Sequence, residues 1–553
     1  MIPHKLNNKL LILAVIGFVA LVAASMFISI SGMDDQLGGE TIVPIVTEDE
    51  AVQVAVEFAK DQLGWNRPVE TSGVIYQSDT LASGYLAKTG ARQEYDERFG
   101  NLFPLDYWEV KLASPLRMDE ATIRVSLREP QVVGWMLETE EMSSGLVPDA
   151  EVEDARNLLR SRGLDPEEWQ YDASRTEGRN TFVFVHSSAG LREAEMTIEV
   201  VMQYGNRANS FLPTVNVPDS HVNWMADQEA SAGIMTSIYF AGTVFLGIAA
   251  FVYVIQNRKQ ILFRRGLLLS AIVLVIYVIT NLNALKLVWY MEPIASEREA
   301  AMANMIMMLL LFGLAAITAV SVWLSLLGGE HGWRSGGWMS WPRWRDEAFG
   351  RDVFYGMGRG YLIALFMFGV QQVLFALAGV TFNAFAVSDP SQSVYNMLWP
   401  AALPLAAWIA AIMEEAVYRL FGIMLFKKWS KRNFIAILIP NFIWALGHTA
   451  YTIYPSYTRL IEVTVLGFIF SFAFLRYGFI TAMFAHACFD SLLMGISLMV
   501  GFPNAAHALI GLFYILLPAF IGYAVRFLHP RYLHRRQAAI PIPPLQDPPP
   551  AGN

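Results

Sequence analysis

The hydrophobic residues of this chain are gathered into long runs. The first run covers residues 10–30, and runs of 18 or more apolar residues are typical of membrane-spanning helices. A cleaved signal peptide is the alternative, because Ala23, Ala24 and Ser25 suit a signal peptidase, but its apolar core is usually about 7–15 residues long. The pattern therefore predicts that residues 1–32 form a retained N-terminal membrane helix.

Further apolar runs follow a long polar segment. They cover residues 234–255, 267–290, 305–327, 361–385, 398–426, 434–450, 460–475, 480–500 and 508–525. Together with the first run they predict about ten transmembrane helices, with both termini on one side of the membrane. The predicted fold class is an α-helical polytopic membrane protein with an inserted α+β domain.

The basic residues orient this arrangement. With the N-terminus inside, the predicted cytoplasmic loops carry most of the arginines and lysines, and the short external loops carry few, Arg298 and Arg459 being the exceptions. Because positive residues favour the cytoplasmic side, we expect a cell-membrane protein with cytoplasmic termini and an extracytoplasmic segment 33–230. The remaining predicted regions are helices 2–4 with a Trp- and Arg-rich cytoplasmic loop (231–359), a membrane core (360–527) and a Pro-rich cytoplasmic tail (528–553).

The polar segment shows a recurring order of elements. Thr47 and Glu50 form a capping-box pattern that starts an amphipathic helix, and a second helix is predicted near residues 149–162. Alternating strands follow each helix, at 107–112 and 122–127, then at 181–186 and 196–203. The recurrence predicts two repeats, 47–142 and 147–220, which loosely resemble PepSY modules. Such a domain can bind an extracytoplasmic partner.

Composition narrows the functional classes. Charged residues make up 16% of the 553 residues, against about 25% in soluble domains, so membrane lipid is the expected surrounding. The net charge of −9 argues against nucleic acid as a partner, because nucleic-acid binding usually needs a basic face. Cys488 is the single cysteine, which excludes an intramolecular disulfide and a cysteine-based zinc cluster.

Ionisable residues inside the apolar runs point to chemistry, because such groups are costly in a membrane. Glu414, Glu415 and Arg419 lie in the run 398–426. Glu415 and Arg419 are four residues apart and can pair on one helix face, which leaves Glu414 turned towards the bundle interior. A purely structural network of these three residues is the alternative interpretation.

Two histidines in later runs complete the candidate site. His448 ends the run 434–450, and His486 stands four residues before Asp490, which can orient its imidazole. The helical rise brings all these groups to similar depths in the membrane. Cys488 is two residues from His486 and lies on a different helix face, so a cysteine nucleophile is disfavoured.

This set of groups fits the hydrolysis of an amide. A carboxylate held in an apolar site can accept a proton from water as general base, and histidine can stabilise a developing oxyanion. Zinc is a second option, with Glu414, His448 and His486 as ligands, although the His-Glu-x-x-His pattern of conventional zinc proteases is absent from the sequence. The residues alone leave metal-dependent and metal-free activation of water open.

These motifs resemble a known family. Glu414-Glu415-x-x-x-Arg419, then Trp444-x-x-x-His448, then His486-x-x-x-Asp490 resembles the CPBP intramembrane proteases, which include type II CAAX prenyl endopeptidases and proteins of bacteriocin processing and immunity. The resemblance implies that Glu414 activates water, that His448 and His486 hold water or metal, that Asp490 completes the site, and that Glu415 and Arg419 support it. The family usually has Phe at the position of Trp444 and often Asn at that of Asp490.

The sequence favours an intramembrane endopeptidase that cuts membrane-associated or lipid-modified peptides or proteins. A proton-coupled transporter is the first alternative, with the same four groups as a relay. Its expected inverted repeats are not visible in the sequence. A non-enzymatic receptor or immunity protein is the second alternative.

Overall fold

The computed structural model describes residues 8–37, 43–65, 69–114, 119–138, 150–176, 180–187, 191–203, 207–291, 297–338 and 343–538. Within these residues the fold class predicted from the sequence is confirmed: a helical membrane region carries an inserted antiparallel sheet domain. Eight described helices are long and apolar enough to cross a membrane. The protein is therefore a multi-pass membrane protein.

In the described part of the chain, the sheet domain forms one eight-stranded antiparallel sheet. Its strands are β1 (Glu70–Ser78), β2 (Asp106–Ser114), β3 (Asp119–Ser126), β4 (Val132–Glu138), β5 (Trp169–Tyr171), β6 (Thr181–His186), β7 (Glu195–Gln203) and β8 (Arg207–Asn216), in the spatial order β1-β2-β3-β4-β8-β7-β6-β5. Each half is a meander, and the pairing of β4 with β8 joins the halves.

Each half of the sheet domain begins with a helix, and the first half also has two helices between β1 and β2. Helix α1 (Asn8–Ile30) and α2 (Asp34–Leu37) precede the domain, α3 (Glu48–Asp61) opens its first half with α4 (Thr80–Thr89) and α5 (Arg92–Arg98), and α6 (Val152–Ser161) opens its second half. Thr47 caps α3 with the predicted reciprocal bonds to Glu50. Of the eight strands, the sequence predicted only β2, β3, β6 and β7. The duplication and the PepSY resemblance stay predictions.

The membrane region follows the sheet. Its helices are α7 (Asp219–Gln256), α8 (Leu267–Asn283), α9 (Leu285–Met291), α10 (Glu297–Ser335), α11 (Phe349–Phe382), α12 (Ala406–Glu414), α13 (Ile423–Ser430), α14 (Asn433–Leu446), α15 (Ser456–Tyr477), α16 (Phe479–Gly501) and α17 (Ala505–Ala538). A short ribbon, β9 (Phe385–Ala386) with β10 (Ile453–Tyr454), joins two loops of this region.

Two of the predicted spans differ from a single long helix. The run 398–426 is divided into the 3₁₀ helix Pro400–Leu405, α12, a π-helix over Glu415–Gly422, and α13. The run 434–450 contains only the 14-residue α14. The count of ten spans therefore stays a prediction. The predicted tail beyond Ala538, and Trp341 of the Trp-rich loop, lie outside the described residues.

Close backbone contact fixes α1 against the core. A Cβ atom on Gly17 would lie 2.4 Å from Phe366 Cα, and one on Gly369 would lie 2.0 Å from the Gly17 carbonyl oxygen. Only glycine allows two helices to approach so closely. Helix α1 is thus packed directly on α11.

Polar contacts join the sheet domain to the membrane region. The side chain of Asn396 accepts a hydrogen bond from Tyr76 N at 2.7 Å and donates one to Tyr76 O at 2.8 Å. Lys286 Nζ lies 2.6 Å from a carboxylate oxygen of Glu48. The edge strand β1 is therefore held at the segment that leads into the 3₁₀ helix and α12.

Candidate active site

The candidate site lies where α12, α14 and α16 meet. Glu414 is the last residue of α12, and Glu415 begins the π-helix. A π-helical turn holds more residues than an α-helical turn, and such turns occur frequently at functional sites. The sequence predicted a regular helix here, which is wrong for residues 415–422.

His486 is the centre of the polar contacts. Its Nδ1 lies 2.9 Å from Glu415 Oε1, while its Nε2 lies 3.4 Å from Asp490 Oδ2 and 3.7 Å from Glu414 Oε2. Phe470 stacks on the imidazole with 4.3 Å between ring centroids. A carboxylate on one ring nitrogen fixes the orientation and proton position of the imidazole, so the other nitrogen is aimed at Glu414 and Asp490.

Arg419 and Trp444 hold the carboxylates from the other side. Arg419 Nη1 lies 3.4 Å from Glu415 Oε1, as the spacing predicts, and both residues are almost fully buried. The Arg419 guanidinium also stacks on the Trp444 ring at 4.0 Å, and the Trp444 indole donates a hydrogen bond to Glu414. Arg419 therefore holds Glu415, and Trp444 holds Glu414, while His486 contacts both.

His448 belongs to the site through Trp444. Its Nδ1 lies 3.0 Å from the Trp444 carbonyl oxygen, and the two rings are 4.7 Å apart. Donation by Nδ1–H to that carbonyl leaves Nε2 as the acceptor nitrogen. The Trp444 ring is also 6.0 Å from the ring of His486, so it stands beside both imidazoles.

The structure thus brings all the predicted site residues to one place, whereas their chemical roles stay predictions. The sequence did not identify Phe470 as part of the site, because an aromatic residue in an apolar helix carries no local signal. Trp444 was visible only as a departure from the family motif. Its role as a hydrogen-bond donor to Glu414 depends on the packing of α14 against α12.

The side chains at this site are not grouped in the way that zinc ligands are. Structural and catalytic zinc sites use three or four ligand atoms at about 2.0–2.3 Å from the metal. Across the described ranges, no three His, Cys, Asp or Glu side chains are grouped so that they could hold a metal ion. The nitrogen of His486 that faces Glu414 is shared with Asp490 instead. This arrangement does not fit a preformed zinc site, and zinc binding stays a prediction.

The site is more open on the side of the sheet domain. Glu415 and His486 are buried, whereas His448 and Asp490 are partly exposed. Next to His448, the ring of Tyr451 stacks on its imidazole at 6.2 Å and lines a cavity of about 340 Å³.

Most of this cavity's lining is polar or comes from the junction with the sheet domain. The lining includes Tyr76, Ser388, Asp389, Gln392, Thr452 and Ser497. Tyr76 belongs to β1, and Ser497 lies on α16 two turns beyond Asp490. We call this cavity the vestibule, since it lies between the sheet domain and the candidate site.

Comparisons with known proteins found matches in the region that contains this site. Residues 396–492 match the family model described as type II CAAX prenyl endopeptidase Rce1-like, so the resemblance predicted from the motifs is confirmed for the C-terminal region. The sporulation-killing factor biosynthesis protein SkfC of Bacillus subtilis (strain 168) is 28% identical over 137 residues, which cover 24% of this chain and 27% of that protein. No solved structure matches the chain.

Proposed function

We propose, from the protease-family match of its C-terminal region, that this chain is an intramembrane endopeptidase in which Glu414 activates water. At the level of the family, the C-terminal region is similar to intramembrane CAAX-type proteases. The proposal that Glu414 activates water is supported by the arrangement around His486. Glu415 lies at one ring nitrogen, and Glu414 and Asp490 lie at the other.

In the proposed reaction, Glu414 accepts a proton from water as the water oxygen bonds to the peptide carbonyl carbon. The protonated imidazole of His486, oriented by Glu415, donates towards the oxygen that gains negative charge. Glu414 then returns its proton to the leaving nitrogen as the carbon–nitrogen bond breaks. Asp490 favours the cationic form of His486, because an opposite charge nearby stabilises the charged form.

We further propose that His448 orients the water or the substrate carbonyl. Its Nδ1 is engaged by the Trp444 carbonyl, so Nε2 is the nitrogen left for the reaction.

The proposed substrate is a membrane-associated or lipid-modified peptide or protein that enters from the side of the sheet domain. The exposure of His448 and Asp490 towards the vestibule supports this direction of entry. From the distribution of basic residues, we propose that both termini are cytoplasmic and that this side is extracytoplasmic. A partner bound to the sheet domain would then be positioned to present substrates.

The test is the variant Glu414→Gln in the purified full chain with a peptide library. Loss of a general base should lower kcat by about 10²–10⁴-fold while thermal unfolding stays close to that of the wild type. Glu462→Gln is the matched control, because Glu462 is also a buried membrane carboxylate but is bonded to Gln371 and Arg459. Cleavage by Glu414→Gln at the wild-type rate would remove Glu414 from the mechanism.

A further inference from the structure

A second cavity lies on the side of the membrane opposite the sheet domain. Helix α7 starts directly after β8 and crosses the membrane, so residues 257–266 beyond its end lie on that opposite side. There a cleft of about 660 Å³ opens between α8, α11, α12, α16 and α17. Its walls are almost entirely apolar, including Leu268, Ile272, Ile412, Met483, Leu517 and Ile521. Such a cleft fits hydrocarbon chains.

The mouth of the cleft carries excess positive charge. Arg264 and Arg265 line the mouth together with Glu330. Glu330 Oε1 is shared by three guanidinium groups, with Arg265 at 2.8 Å, Arg334 at 3.1 Å and Arg343 at 3.5 Å. Three arginines thus contact one carboxylate, and Arg264 is a fourth arginine at the same mouth.

The nearby acidic residues do not neutralise this group. Asp346 adds a second negative charge close to Arg343, so the four arginines exceed the two carboxylates by two positive charges. Trp344 also lines the cleft, and tryptophan favours the headgroup layer of a membrane. The charged mouth therefore lies where phospholipid headgroups are expected.

We propose that the cleft binds one anionic phospholipid, with its phosphate at the arginines and its acyl chains between the helices. Basic pockets between membrane helices recognise anionic headgroups, and arginine binds phosphate through paired hydrogen bonds. A zwitterionic lipid offers the same chains, but its cationic group is repelled by the excess positive charge. The charge at the mouth therefore selects the headgroup.

The bound lipid supports the helices that carry the candidate site. Trp408 and Ile412 face the cleft from α12, and Met483 and Phe484 face it from α16. Glu414 follows Ile412 by two residues, and His486 follows Phe484 by two residues. The lipid thus packs behind the two helices whose other faces hold the polar groups.

The test is native mass spectrometry of the purified full chain with phosphatidylglycerol and phosphatidylcholine in competition. The wild type should retain phosphatidylglycerol in preference to phosphatidylcholine. Arg264→Ala combined with Arg343→Ala should weaken that preference by about fivefold per arginine, because each basic residue near the headgroups contributes about 1 kcal/mol. The matched control, Arg258→Ala with Lys259→Ala, removes two exposed charges from the loop that also carries Arg264 and should keep the preference.

Filling the cleft provides a second test. Ile272→Trp keeps every arginine but occupies space needed by the acyl chains, so it should reduce retention of both lipids. Equal retention of the two lipids by the wild type, or equal losses in the arginine variant and its control, would overturn the proposal. Because lipid binding is measured without a substrate, these outcomes do not depend on whether the chain is a protease.

Discussion

The buried pair of Glu415 and Arg419 allows a quantitative test of the site's architecture. Their charged atoms are 3.4 Å apart, which corresponds to an attraction of about 5 kcal/mol at an effective dielectric constant of about 20. Breaking a buried pair by removing one partner usually costs about 3–5 kcal/mol, whereas replacing both partners by apolar groups is often neutral. We therefore expect strong coupling between the two positions.

The two single variants should differ in how much stability they lose. Glu415→Gln leaves Arg419 with its stacking on Trp444 but without its carboxylate, and should lose about 3–5 kcal/mol of stability. Arg419→Met leaves Glu415 with His486 at 2.9 Å, and should lose less. The double variant should be more stable than the sum of the two losses predicts, by at least about 2 kcal/mol.

The assay is unfolding in a denaturing detergent, followed by tryptophan fluorescence, on the wild type and the three variants. The control cycle uses Glu153 and Arg160 in the sheet domain, whose charged atoms are 2.8 Å apart but whose side chains are about half exposed. Exposed pairs contribute little to stability because water and salt screen them, so this cycle should show weak coupling despite its shorter distance. Losses at Glu415 and Arg419 that add within about 0.5 kcal/mol would refute the reasoning.

Three further outcomes follow from the contacts. Gly467→Ala should lower both the melting temperature and the activity, because its Cβ would lie 1.7 Å from Asn441 Oδ1, whereas Gly313→Ala, with open space around it, should change neither. Asn396→Ala should speed hydrogen exchange at the β1 amide that it binds by about thirtyfold, since two hydrogen bonds of about 1 kcal/mol each are lost; unchanged exchange would contradict this. Asp490→Asn should lower kcat by about tenfold, because the charge that favours the cationic form of His486 is lost while the amide oxygen still accepts a hydrogen bond, and a smaller loss in Asp490→Ala than in Asp490→Asn would contradict it.

Much of the membrane region could be predicted from the sequence. Long apolar runs specify helices because the membrane interior provides no partner for backbone polar groups. The pairing of Glu415 with Arg419, and of His486 with Asp490, followed from a spacing of four residues. These features depend only on local geometry, which a single sequence contains.

The remaining features depend on contacts between distant segments. The π-helix from Glu415 to Gly422 depends on packing around the site. No residue type within it indicates that its turns hold more residues than those of an α-helix. Strands β1 and β4 were missed because their buried residues come in continuous stretches rather than in alternation. The union of the two halves through β4 and β8 is likewise a long-range pairing, which periodicity cannot reveal.

The two hydrogen bonds between Asn396 and the backbone of Tyr76 connect the sheet domain mechanically to the region of the candidate site. A molecule that displaced the edge strand would have to break both bonds or pull the segment before α12 along with it. Because these bonds are buried, water cannot readily replace them during such a movement. Binding outside the membrane would therefore be transmitted as force to the helix that ends at Glu414.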